Sequence, residues 1–281
     1  MPRIPAAPDG SGASFDALAD TFDRRRGLPS DVAREVARVV LALVPGGEGR
    51  EGGGWLVELG AGTGEIGRHL AAGPLSYLGL DRSSRMLARF LRRLSVSPAG
   101  HLAVADLNRP WPLASTTGRL IFASRIAHRL ALQHVMDETR RTARPGARLA
   151  LGRIRRPADS PGAVLRRRLR KLLAEEDLRG RDAEEARARL VEGLGARGAR
   201  AHPPRPVARW RSRETPAATL AKWREKCRSP RPELAGGPVP AERAAAVLDS
   251  VEDWARDRFG ALDAPHEIET IYELTVVDLA P

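Results

Sequence analysis

Hydrophobic and polar positions follow two rhythms along this chain, and the switches between them mark out its elements. Apolar residues recur at helical spacing at Phe15, Leu18, Ala19 and Phe22, and again from Asp31 to Leu43 through Val32, Val36, Val39 and Val40. Between these stretches Arg24-Arg25-Arg26-Gly27-Leu28-Pro29 breaks the helix. Short apolar runs follow, each bounded by turn residues: Trp55 to Leu59, Tyr77 to Asp81, Leu102 to Ala105, Arg119 to Ser124 and Arg148 to Ile154. Helical patterns over Gly64 to Ala72, Ser83 to Leu94 and Gln133 to Thr142 separate most of them. Strand and helix in alternation predict a parallel sheet with helices on both faces.

Later the texture changes. Residues 161–194, rich in Arg, Glu, Leu and Ala, predict one or two amphipathic helices, and Arg200 to Trp210 predicts a sixth strand broken by prolines. Thr215-Pro216 opens a helix through Cys227, and Pro240 to Phe259 gives another with Val247, Val251, Trp254 and Ala255 on one stripe. His266 to Leu279 alternates and is expected as a last strand antiparallel to its neighbours. Residues 1–13 are expected to be a flexible N-terminal tail. The span 14–281 is expected to be a doubly wound, seven-stranded, mostly parallel α/β domain, with N-terminal helices over 14–45 and a core over 55–155. A helical insertion over 212–264 would then interrupt the last two strands and cap the sheet edge where ligands bind.

The glycines at the first strand–helix turn carry the chemistry. Residues 56 to 67 read Leu-Val-Glu-Leu-Gly-Ala-Gly-Thr-Gly-Glu-Ile-Gly. Glycine lets backbone approach a ligand closely, and an acidic residue ending the next strand, Asp81, is placed to accept hydrogen bonds from ribose hydroxyls. A dinucleotide fold asks for G-x-G-x-x-G, yet Gly60, Gly62 and Gly64 give G-x-G-x-G, and Glu65 stands in the slot that pattern reserves for glycine. Glu58, two residues before the first glycine, would repel a pyrophosphate and suit a cationic amino group.

With Glu58, the three glycines and Asp81 in this combination, the chain resembles the class I S-adenosylmethionine-dependent methyltransferases, in the broad small-molecule group, over roughly residues 15–155. The resemblance implies a Rossmann-like methyltransferase fold, S-adenosyl-L-methionine as cofactor and S-adenosyl-L-homocysteine as product. It places Glu58 at the methionine amino group, Gly60, Ala61, Gly62 and Gly64 along the methionine and ribose, and Asp81 at the ribose hydroxyls, with Arg82 close by. Asp106 would meet the adenine amino group while Leu107 packs on the ring; a loop-capping role is the alternative for Asp106. Helices ahead of the first strand in similar enzymes often fold over the cofactor, which brings in Phe22 and Arg26. Substrate-facing residues in such enzymes follow the fourth strand. Arg125 and His128 lie there, and His128 is the candidate polar contact or base, with helix capping as the competing reading. Trp210, Trp223 and Trp254 are expected as apolar walls, or as ordinary packing. His202 and His266 lie near expected strands, with no partner that sequence identifies.

Composition alters this picture only in part. The net charge of +12 raises nucleic acid as a partner, but every basic residue except Lys171, Lys222 and Lys226 is arginine. A GC-rich genome produces that imbalance whatever the function. Missing after the fourth strand is the Asn/Asp-Pro-Pro-Tyr/Phe motif of amino-methylating nucleic-acid enzymes, and no Pro-Cys pair offers a nucleophile for a pyrimidine. A small-molecule acceptor, such as a natural-product intermediate, is therefore expected. Two alternatives stand beside it: an RNA methyltransferase using the arginines of 166–170 and 205–213 as a phosphate-binding face, or a non-catalytic relative that keeps the pocket. No metal is expected, since no Asp/Asn cluster suggests one. A single cysteine, Cys227, excludes an intrachain disulfide and a cysteine-based zinc site. The absence of a long apolar run predicts no membrane span, and cytoplasmic residence is the default.

Overall fold

The computed structural model describes residues 27–44, 53–94, 100–178, 180, 182–228, 233–235 and 237–280. The expected tail over 1–13, Phe22 and Arg26 lie outside these residues. The chain divides into two compact units: one takes the residues up to 153 with 187–208 and 272 onward, the other takes 154–186 and 209–271.

In the first unit the strands are β1 (Trp55–Leu59), β2 (Ser76–Asp81), β3 (Gly100–Val104), β4 (Gly118–Ser124) and β5 (Ala143–Arg155). They pair in parallel, in the order β3-β2-β1-β4-β5. The path continues to β10 (His266–Asp278) and then β6 (Arg200–Ala201), and β7 (Arg205–Glu214) also pairs with β10. Seven strands thus lie on the path, with an eighth beside it. Ion pairs Arg148–Asp278 and Arg153–Glu273 advance in opposite senses along β5 and β10, so the last strand is antiparallel there, as expected.

Period-two alternation decides which face each strand residue meets. Val57, Leu59, Leu78, Leu80, Ile121 and Ala123 pack on one side, against Val135 and Met136 of α4 (Leu132–Thr142) and Leu190 and Leu194 of α6 (Ala183–Gly195). On the opposite side Tyr77 meets Phe90 of α3 (Ser84–Arg93), and the first residue of α2 (Gly67–Leu70) packs against Tyr77. Helices therefore cover both faces, the doubly wound arrangement. An amphipathic helix α1 (Ser30–Leu41), burying Val32, Val36 and Val40, precedes β1.

Two expected boundaries are corrected. The first helix does not begin at Gly64, because that residue is left-handed at φ +76°; the chain bends there and α2 starts only at Gly67. The sixth strand is broken by prolines, as expected, into β6 and β7 on either side of His202-Pro203-Pro204, but it runs on to Glu214 instead of ending at Trp210.

The second unit has its own core. Leu165, Leu169 and Leu173 of α5 (Pro161–Glu175) pack with Leu220 and Trp223 of α7 (Pro216–Cys227) and with Ala244, Val247, Leu248, Val251 and Ala255 of α8 (Ala241–Phe259). Leu234 and Val239 join this core at a small hairpin of β8 (Glu233–Leu234) and β9 (Gly237–Pro238). Helix α7 begins where Thr215 caps it, its hydroxyl accepting from the Ala218 N–H at 3.0 Å, and Pro216 occupies the first turn. The unit draws on 154–186 as well as on the span around 212–264.

Candidate active site

A cavity of about 180 Å³ in the first unit opens at the C-terminal ends of β1 to β4. Its first wall is backbone. The chain leaves β1 at Leu59 and turns through Gly60, Gly62 and Gly64, with φ of +73°, +54° and +76°. These values lie in the region that favours glycine. A Cβ on Gly64 would lie 2.0 Å from Phe90, and one on Gly60 would lie 2.3 Å from Ile126. The bend is tied to β2 by Gly60 N–H and Ala61 N–H donating to the Leu80 carbonyl at 2.8 and 3.0 Å.

Asp81 completes the tie. Its carboxylate accepts from Gly62 N–H at 2.8 Å and Ser83 N–H at 2.9 Å. Burial raises its pKa, and those backbone donors oppose the rise. Glu58, only 4% exposed, lies on the face of β1 that meets Tyr77, and the Tyr77 hydroxyl donates to Glu58 Oε2. Burial pushes the Glu58 carboxyl up to about 8, against the pull of that hydrogen bond. Asp106 Oδ1 accepts from Asn108 N–H at 3.0 Å, an Asx turn that holds the loop while Asp106 and Leu107 both line the cavity. The loop-capping contact of Asp106 is thus present, and the residue also faces the cavity. Arg82 and Met86 line the cavity as well.

The second wall follows β4 and is built from side chains. Ser124, Arg125, Ile126, His128, Arg129 and Leu130 contribute, with His128 in a single 3-10 turn, Ala127–Arg129. Arg125 has φ of +60°, a strained position for a non-glycine residue, and its guanidinium pairs with Glu65 at 2.7 Å. Glu65 also accepts from Leu28 N–H. Ser124 Oγ lies 2.7 Å from the Tyr272 hydroxyl, which crosses over Gly152, where a Cβ would sit 1.9 Å from that oxygen.

The structure thus brings together Glu58, Gly60, Ala61, Gly62, Asp81, Arg82, Asp106, Leu107, Arg125 and His128, all around one cavity. Gly64 shapes the same bend without lining it. Trp223 is not a wall of this cavity: it is buried in the core of the second unit. Trp210 is half-buried on β7, and Trp254 packs on the second core beneath Arg168. Sequence reasoning passed over Tyr77, Ser124, Asn108 and Tyr272. Of these Ser124 alone carried a signal, its place at the end of β4.

Comparison with known proteins agrees with the geometry. The methyltransferase domain family matches residues 56–146, the span from β1 into β5. The fold matches a protein assigned to the type II methyltransferases from Anaeromyxobacter dehalogenans at a TM-score of 0.53 and 18% identity, over 88% of this chain and 97% of that one. Residues 56–146 thus carry a methyltransferase domain. The same fold recurs in geranyl diphosphate C-methyltransferase from Streptomyces coelicolor A3(2), at a TM-score of 0.50 and 14% identity over 99% of this chain and 90% of that one. It recurs too in a Haloferax volcanii complex between a methyltransferase activator and its assigned methyltransferase, at a TM-score of 0.51 and 18% identity over 95% of this chain and 98% of that one. Comparison with curated protein sequences gives no match. Among the described residues no cluster suits a metal ion, and no helix is long and apolar enough to cross a membrane.

Proposed function

We propose that this methyltransferase transfers a methyl group from S-adenosylmethionine to a small-molecule acceptor, with Glu58, the Gly60–Gly64 bend, Asp81, Asp106 and Leu107 holding the cofactor. The observation that carries the reading is the joining of Asp81 to the glycine bend by the Gly62 hydrogen bond. That bond leaves the carboxylate at the cavity with accepting capacity for a pair of ribose hydroxyls. The glycine cradle, which a Cβ would fill, suits close passage of the cofactor's methionine arm. A buried carboxyl at Glu58 suits the arm's ammonium group. Asp106 is then the acceptor for the adenine amino group, and Leu107, 5% exposed, supplies an apolar surface for the ring.

The cofactor brings an electrophilic methyl group on a cationic sulfur, which an acceptor lone pair displaces in line. Because positive charge on sulfur is lost on the way, the chain contributes chiefly by alignment and by excluding water. His128 and Arg125, on the second wall, face the acceptor. His128 takes the acceptor's proton where the acceptor is a hydroxyl or an ammonium. Support for a small acceptor comes from the Streptomyces neighbour, a complex with geranyl diphosphate and S-adenosyl-L-homocysteine. An RNA acceptor would need arginines free to meet phosphate. Yet Arg170 pairs with Asp182, Arg209 with Glu269 and Arg213 with Glu267.

Titration calorimetry with S-adenosylhomocysteine tests the cofactor half; micromolar affinity is expected. Folded protein that gives no heat of binding ends the proposal. Mass spectrometry across an acceptor panel tests the other half, with a gain of one methylene unit as the expected signal. Catalytic transfer to RNA, with an affinity that collapses in salt, would replace the small molecule.

A further inference from the structure

Beneath the first wall lies a polar pair that none of the steps above explains. Tyr77 is wholly buried on β2, where phenylalanine would pack as well and leave no hydroxyl to satisfy. Its hydroxyl is aimed at Glu58 Oε2, and two glycines make room for the pair. A Cβ on Gly67 would lie 2.4 Å from Glu58 Oε2 and 2.5 Å from the Tyr77 oxygen, and one on Gly79 would lie 2.9 Å from that oxygen. Neither glycine is left-handed; a Cβ on Gly67 would also meet Phe90 at 2.7 Å and one on Gly79 would meet Leu102 at 2.9 Å, so both are needed for the close packing around this pair. Phe90 fixes the ring from the other side, edge to face at 5.9 Å.

The surroundings of Glu58 are poor in positive charge. Asp81 at the end of β2 and Glu65 in the bend both disfavour its anion; Arg125 after β4 favours it, although that guanidinium is shared with Glu65. Among the described residues Tyr77 from β2 donates a hydrogen bond to it, which favours the anion too. Burial prevails, so at neutral pH the carboxyl holds a proton that an arriving ammonium group would displace.

We propose that Tyr77 is a positioning residue: its hydroxyl orients the Glu58 carboxyl for the cofactor's amino group and favours the anion, so that cofactor capture expels one proton from Glu58 to solvent. This rests on the cofactor reading above. The test is calorimetry of S-adenosylhomocysteine binding in buffers of different ionisation enthalpy, between about pH 6 and pH 9, on the wild type, Tyr77→Phe and Glu58→Gln. The wild type should release close to one proton per ligand at the acidic end and far less at the alkaline end. Its affinity should rise about tenfold per pH unit until it levels off near the Glu58 pKa. Loss of the donor in Tyr77→Phe should move that levelling to higher pH and weaken binding about tenfold at neutral pH, with the two proteins converging in alkali. Glu58→Gln should bind without the proton release. A merely structural tyrosine would instead lower affinity by one factor at every pH, and that result overturns the proposal. So does binding to the wild type with no proton released, or an unchanged release in Glu58→Gln. Failure of the wild type to bind at any pH would remove the cofactor reading and this inference together.

Discussion

The two walls of the cavity are made by different means. On the first, backbone binds backbone and carboxylate: Gly60 and Ala61 N–H groups reach Leu80, and Gly62 and Ser83 N–H groups reach Asp81. On the second, side chains do the work, through Arg125 with Glu65 and Ser124 with Tyr272. A wall of main-chain donors accepts few changes and serves one ligand. A wall of side chains can be altered one residue at a time, and Arg125, strained at φ +60°, belongs to that kind. On the proposed reading, the contrast assigns cofactor and acceptor to separate parts of the same cleft.

Breaking the first wall should cost most. Gly64→Ala drives a Cβ to within 2.0 Å of Phe90 at a left-handed residue. A loss of about 3 kcal/mol in thermal or denaturant unfolding is expected; a loss below 1 kcal/mol would mean that the bend is not the constraint described. Next comes Asp81→Ala, which removes the acceptor for two backbone N–H groups and, on the proposed reading, for ribose. S-adenosylhomocysteine affinity should fall about a hundredfold by calorimetry. An unchanged value would place the ribose elsewhere.

Glu58→Gln sharpens the comparison through pH. The folded carboxyl keeps its proton up to about 8, whereas an unfolded glutamate gives it up near 4.5. The fold therefore loses stability as pH climbs through that window, and below it the loss vanishes because both states are protonated. Glu58→Gln should accordingly be more stable than the wild type by on the order of 2 kcal/mol at pH 6, with the gap widening toward pH 8 and closing toward pH 4.5. Smallest in binding should be Arg125→Gly, which relieves the backbone strain while it cuts the Glu65 pair. We expect cofactor affinity within about threefold of the wild type and acceptor turnover down about tenfold. A collapse of cofactor binding would erase the division between the walls.

What the sequence made legible follows the same division. Glycine spacing, Glu58 and Asp81 foretold the first wall because backbone geometry restricts which residues stand at a left-handed bend. The mostly parallel sheet and the antiparallel last strand were likewise foretold by alternation. Hidden were contacts between residues distant in sequence. Tyr272 reaches Ser124 across 148 positions, and His202, for which sequence offered no partner, sits 2.6 Å from Asp278. Trp223 shows the limit from the other side. Aromatic character left it either a ligand wall or ordinary packing, and it is the second, in the interior of the second unit.

The most direct measurement is a crystal structure with S-adenosylhomocysteine bound. The account predicts both ribose hydroxyls on Asp81, the amino group at Glu58 and the adenine against Leu107 beside Asp106. Ligand density away from the Gly60–Gly64 bend, or a ribose out of reach of Asp81, would contradict it.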